Sequence, residues 1–144
     1  MPDKPIAIAS DHAGYELKQL LGEELERLGY QVLDLGTDGA GSVDYPDYGY
    51  KLAEAVSEGR SDRGVVVCGT GIGISMAANR VPKVRAALCH DVTSTRLARL
   101  HNDANVLALG ARLIGREVAK DCLKAFLETA FEGGRHEKRV AKLG

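Results

Sequence analysis

The chain has no tryptophan, only two phenylalanines and only three cysteines among its 144 residues. Cys68, Cys89 and Cys122 are odd in number and widely spaced, which excludes a disulfide framework and predicts a reducing, cytoplasmic setting. No C-x-x-C or H-x-x-x-H pair occurs, so no metal site is predicted. There is no excess of either charge: 19 basic and 20 acidic residues leave a net charge of −1. That excludes the electrostatic footprint of a nucleic-acid or anionic-membrane binder. "MPDKPIAIAS" lacks the apolar run of a signal peptide, and no stretch is long enough to span a bilayer. Repeats, low-complexity segments, a G-x-S-x-G elbow and a G-x-x-x-x-G-K loop are all missing. The length suits one domain able to bury roughly two thirds of its unfolded surface.

What is present is alternation. "PIAIAS" (5–10) reads as a strand, and Leu17, Leu20, Leu21, Leu25 and Leu28 then keep helical spacing until Gly29. "QVLDLG" (31–36) is a second strand, with a loop through "DGAGSVDYPD". The spacing predicts a helix over 48–58, a central third strand "GVVVCG" (64–69) and a short helix over 72–79. "RAALC" (85–89) and "NVLAL" (105–109) read as strands on either side of a helix over 91–101. A helix over 117–131 puts Val118, Cys122, Leu123, Phe126, Leu127 and Phe131 on one side. Gly133-Gly134 breaks it, and a basic helix of about 135–143 ends the chain. The pattern predicts a single α/β domain over 1–144, doubly wound and Rossmann-like, with three layers and a mostly parallel five-stranded sheet. Ligands in that class lie outside the carboxyl ends of the strands. Asp11-His12, Gly36-Thr37, Cys68-Gly69-Thr70, His90-Asp91, and Gly110 with Arg112 all follow predicted strands.

"VVVCGTGIG" (65–73) concentrates the candidate chemistry. Glycines at alternate positions let the backbone turn tightly and aim several N–H groups into one concavity, where an anion or a developing oxyanion is held. The same field favours a thiolate at Cys68, and Thr70 is placed to hydrogen-bond the sulfur. The alternative is a buried cysteine ending a core strand, with glycines for packing alone. A dinucleotide site is a further alternative: "GTGIG" is not G-x-G-x-x-G, but Asp91 stands about 20 residues on, as a ribose-binding acid would. Asp11 and His12 suit phosphate contact or proton transfer, and Asp11 equally suits a helix cap. In "HNDAN" (101–105), His101 suits general acid–base work, while Asn102 and Asp103 also read as turn formers. Arg135 and Arg139 share one helical face, which suits a phosphate dianion. The alternative is a solvated basic tail, with His136 and Lys138 on its other faces.

"SDHAGYELK", "VDYPDY", "CGTGIGISMAANR", "HNDANVLALGAR" and "EGGRHEKRV" occur in one order that resembles the ribose-5-phosphate isomerase type B family, whose fold is shared with the galactose-6-phosphate isomerase subunits. The resemblance implies an aldose–ketose isomerase of carbohydrate metabolism, in the pentose phosphate pathway. It would interconvert ribose 5-phosphate and ribulose 5-phosphate by proton transfer through a cis-enediolate, with neither metal nor organic cofactor. It implies Cys68 as the base, Thr70 as its support, and the backbone of Gly69, Gly71 and Gly73 as the anion hole. His101, with Asn102 beside it, matches the group that opens the sugar ring. Asp11, His12 and Tyr45 match substrate-contacting positions, and Arg112, Arg135 and Arg139 match phosphate-binding positions. One branch of the family uses a glutamate where this chain has Ile74, so the sequence resembles the cysteine-base branch.

The implied partner is a small sugar phosphate, with no nucleic acid and no membrane. A six-carbon substrate, allose 6-phosphate or galactose 6-phosphate, is the alternative within the class. Outside it stands a non-catalytic nucleotide- or phosphate-binding module. Cys68 ends the third predicted strand, whereas His101 precedes the fifth, at the opposite edge of the sheet. A five-residue strand is about 17 Å long, too far for one side chain to bridge. The resemblance asks both residues to act on one sugar. A homodimer, or a tetramer built from it, in which His101 and Asn102 reach the neighbour's Cys68, reconciles the two.

Overall fold

The computed structural model describes residues 3–144; residues 1–2 of the expected domain lie outside the described residues. The elements run β1 (Ile6–Ser10), α1 (Tyr15–Arg27), β2 (Val32–Asp34), α2 (Tyr45–Ser57), β3 (Gly64–Cys68), α3 (Ile72–Ala78), β4 (Ala86–Leu88), α4 (Val92–Asn102), β5 (Val106–Gly110) and α5 (Arg116–Glu128). A single 3₁₀ turn (Gly134–His136) and α6 (Glu137–Leu143) complete the chain. The sheet order is β2-β1-β3-β5-β4 and every pair is parallel, so the sheet is wholly rather than mostly parallel.

Strand period divides the core into two layers, because successive side chains point to opposite faces. Ile6, Ile8, Val65, Val67, Leu107 and Leu109 face α1 and α5, meeting Leu17, Leu21, Leu25, Leu123 and Phe126. Ala7, Ala9, Val66, Cys68, Val106 and Ala108 face α2 and α3, meeting Leu52, Val56, Ile74 and Ala78. The second face is lined by smaller residues. β1, β3 and β5 are buried along their whole length, as "GVVVCG" predicts for a central strand. β2 and β4, at the sheet edges, are three residues each and only partly buried.

Three boundaries differ from expectation, each for a local reason. α2 starts at Tyr45, three residues early, because Pro46 occupies its first turn, where no amide donor is needed. α5 stops at Glu128 rather than Phe131. The Arg63 guanidinium donates to the carbonyls of Phe126 and Leu127 at 2.6 and 3.0 Å, and Thr129 turns extended. The basic helix expected over 135–143 is split: a 3₁₀ turn ends at His136 and α6 begins at Glu137.

Backbones converge closely where β3 ends. A Cβ on Gly14 would fall 2.5 Å from the Val67 carbonyl oxygen, and one on Gly110 would fall 2.5 Å from that of Thr70. We expect Gly14→Ala to destabilise the fold by about 1–3 kcal/mol, because a methyl group there must push α1 off β3. Gly39, with open space around it, should accept alanine nearly without effect. Chemical denaturation midpoints of the two variants check this.

Candidate active site

Cys68 ends β3 on the face toward α3, and its Sγ accepts a hydrogen bond from the Gly71 N–H at 3.2 Å. Gly71 makes this possible by adopting φ +78°, and an added Cβ would strike the Leu109 carbonyl carbon at 2.8 Å. The Thr70 hydroxyl, expected on the sulfur, instead accepts the Ile72 N–H at 3.2 Å and so caps the start of α3. The next two amides, Gly73 and Ile74, belong to the first helical turn and have no backbone acceptor within the helix. They are the donors available to an oxyanion beside the sulfur.

Other expected residues gather at this tip. The Arg112 guanidinium lies over Gly69, 3.3 Å from where a Cβ would stand, and the Arg112 N–H donates to the Gly69 carbonyl at 2.9 Å. The Tyr45 ring covers Gly73, leaving 2.5 Å to a notional Cβ. The Asp11 N–H donates to the Val67 carbonyl, tying β1 to the end of β3. The buried Asp11 carboxylate accepts the Gly14 N–H at 3.0 Å, so its helix-start role is present. His12 Nδ1 accepts the Val43 N–H at 3.1 Å, which puts the proton of a neutral ring on Nε2 and anchors the loop before Tyr45. Ile74 is fully buried against Gly49, a core side chain rather than a site group. Asp91 Oδ1 accepts the Ser94 N–H at 2.7 Å as the α4 cap, so it is not free to hold a ribose.

The remaining residues lie at the other edge. His101 and Asn102 are in the last turn of α4, just before β5 enters the sheet. β5 pairs with β3 over its whole length, Gly64 opposite Val106 and Cys68 opposite Gly110, so a strand length separates His101 from Cys68. Arg135 and Arg139 belong with His101: Arg139 donates to the Arg135 carbonyl at 3.3 Å, and the intervening His136 stacks on His101 with ring centroids 4.5 Å apart. His136 is 7 % exposed, which corrects the placing of this one residue on a solvated face, while Arg135, Lys138 and Arg139 are exposed. Burial, with Arg135 nearby, pushes its imidazole below the usual histidine range, against a weaker pull from Glu132.

Sequence spacing missed this cluster because its members lie on separate elements. His101, Glu132 and His136 place ligand-capable atoms within 4.8 Å of one another. The two rings are within 18° of parallel, so their in-plane lone pairs do not converge on one point, and the Arg135 guanidinium disfavours a cation.

The parallel sheet with a glycine-turned cysteine at its carboxyl edge defines a doubly wound α/β protein with a candidate anion-binding turn there, and comparison makes the class specific. The sequence profile described as Ribose/Galactose Isomerase matches residues 6–143. Ribose-5-phosphate isomerase B of Escherichia coli is 45% identical over 137 residues, covering 95% of this chain and 92% of that one. D-erythrulose-4-phosphate isomerase of Pectobacterium atrosepticum is 45% identical over 140 residues, covering 96% and 92%. The solved structure of Clostridium thermocellum ribose-5-phosphate isomerase B superposes with a TM-score of 0.96 at 54% identity, covering 97% and 95%. The chain belongs to the ribose/galactose isomerase family. It is a sugar-phosphate isomerase of the aldose–ketose type.

Dialysis against a strong chelator should leave the isomerisation rate unchanged. A loss restored by added zinc would show that His101, Glu132 and His136 do converge on a metal.

Proposed function

We propose that the chain interconverts ribose 5-phosphate and ribulose 5-phosphate. The observation that carries this is the strand tip itself: the Cys68 sulfur under the Gly71 N–H, with the Gly73 and Ile74 amides one turn on and Arg112 and Tyr45 closing over the glycines. Aldose–ketose isomerisation moves a proton between neighbouring carbons while an oxyanion develops beside them. Cys68 takes the proton from C2 and returns it to C1, and the α3 amides hold the enediolate oxygen. Thr70 orders the turn, and Asp11 and His12 meet the sugar hydroxyls. A five-carbon substrate is supported by the names of the E. coli and C. thermocellum relatives. The four-carbon substrate named for the P. atrosepticum relative makes chain length the quantity to test. Three buried free thiols suit a reducing cytoplasm, and no helix of the described residues is long and apolar enough to cross a membrane.

Ketose formation should be fastest with ribose 5-phosphate when four-, five- and six-carbon aldose phosphates are compared. Cys68→Ala should lose about 10²-fold or more in kcat, the usual cost of a positioned base. An alanine variant retaining a tenth of the rate would remove Cys68 from that role.

His101, Asn102, Arg135 and Arg139 complete the site from a second copy of the chain. The face beside the Cys68 turn supports this. Ile72 and Met76 on α3, Leu88 at the end of β4 and Val92 at the start of α4 are all exposed, and Leu88 touches Gly71. A dimer covering this edge buries them and brings a ring-opening His101 and two phosphate-binding arginines to the neighbour's thiol. Co-refolding Cys68→Ala with His101→Ala in equal amounts should restore roughly a quarter of wild-type activity, since half the dimers then hold one intact site. A site contained in one subunit leaves the mixture inactive.

A further inference from the structure

His136 is the most deeply buried ionisable group of the C-terminal segment, and the reading of the Cys68 turn gives it no task. Its Nε2 has no hydrogen-bond partner among the described residues; the Glu132 carboxylate is 3.9 Å away. Yet the chain takes pains to hold its ring flat on His101. Arg99, itself buried, donates from Nε to the Thr129 carbonyl at 2.9 Å, and from Nη1 to Asp103 and to the Ala104 carbonyl. The Glu132 N–H donates to the Leu100 carbonyl at 3.1 Å. The segment after α5 is therefore stitched to the last turn of α4, residue by residue. Gly133 and Gly134, at φ +73° and +58°, then double the chain back, and the His136 N–H closes the turn on the Gly133 carbonyl at 3.1 Å. The result is a ring-on-ring contact with one partner half-buried and the other sealed beneath it.

We propose that His136 is a positioning residue for sugar-ring opening: its buried ring fixes the plane and rotamer of His101, and it has no part in the proton transfer between C1 and C2. The proposal rests on the five-carbon reading above and on His101 as the ring opener. In ring opening the C1–O4 bond breaks and its electron pair passes to O4, which gains a proton. O1 loses its proton, C1=O forms, and nothing is oxidised or reduced. Such a step needs a donor aimed at O4, and an imidazole free to rotate about its side-chain bonds aims poorly. A neutral ring beneath it restricts rotation without adding a like charge, and burial beside His101 and Arg135 favours the neutral form of His136. The same turn carries Arg135, and Arg139 follows one helical turn on, so the phosphate anchor and the ring opener are built as one unit.

The two halves of the reaction can be measured separately. Ribulose 5-phosphate has no free hydroxyl placed to close a ring on its carbonyl, so exchange of its C1 hydrogen with D2O reports proton transfer alone. Conversion of ribose 5-phosphate, which is mostly cyclic, requires both steps. We expect His136→Ala to lower conversion by about tenfold or more, the scale of a misaimed catalytic group, while exchange stays within about threefold of wild type. His101→Ala should show the same split more strongly. His136→Phe, which keeps a flat ring, should restore most of the conversion. His136→Gln repeats the comparison should the alanine variant not fold. The proposal is overturned if the His136 variants leave conversion intact, if conversion and exchange fall together, or if His136→Phe is as impaired as His136→Ala. A wild-type enzyme inactive on ribose 5-phosphate, or a His101→Ala enzyme without the split, overturns the underlying reading and this proposal with it.

Discussion

The hydrogen bond from the Gly71 N–H to the Cys68 sulfur depends on a close approach of backbones that only glycine permits. Three carbonyls at the sheet's carboxyl edge, those of Val67, Thr70 and Leu109, each face a glycine α-carbon with no room for a methyl group. Gly14 lets α1 start against β3, Gly110 lets β5 leave beneath Thr70, and Gly71 turns the chain into α3. Without these approaches the strand tip would splay, and the α3 amides would not stand one turn from the thiol. The glycines serve packing and chemistry together, because the concavity that suits an oxyanion is the same one that admits the neighbouring strand.

The opposite edge is organised by a charge. The Arg99 guanidinium is buried and answered on its several sides by the carbonyls of Thr129 and Ala104 and the carboxylate of Asp103. It fastens the tail of α5 to the end of α4, and so sets where His101, His136 and the two C-terminal arginines meet. Charged hydrogen bonds to buried partners are costly to break, so this corner is rigid although α6 beyond it buries none of its residues. The two edges of the sheet are thus held by different kinds of force, close backbone approach at one and a buried charge at the other.

Much of this was legible in the residues. The near-continuous apolar run of β3 marks a central strand, because burial on both faces leaves no polar positions. "GVVVCG" therefore reads as central, and the glycines after it mark a tight turn. The α2 start is less legible, because Pro46 suits a loop as well as a first helical turn and only the fold places it in the turn. Motif position puts Thr70 on the sulfur, but its hydroxyl accepts the Ile72 N–H instead. Asp91 carries only a ribose-binding reading at the sequence level, and its hydrogen bond from the Ser94 N–H makes it the α4 cap instead.

The sequence by itself determined the alternation of strand and helix, the family, and which residues stand at the strand ends, because these follow from local period and from ordered motifs. Only the tertiary structure decided that His136 lies buried on His101 and that Arg135 and Arg139 sit with them rather than with Cys68. That pairing depends on the Arg99 link between α4 and α5 and on a double-glycine turn, which join residues 35 positions apart. A pattern read along one helix face takes His136 for a solvated position, since spacing records neighbours along the chain and burial records neighbours across it.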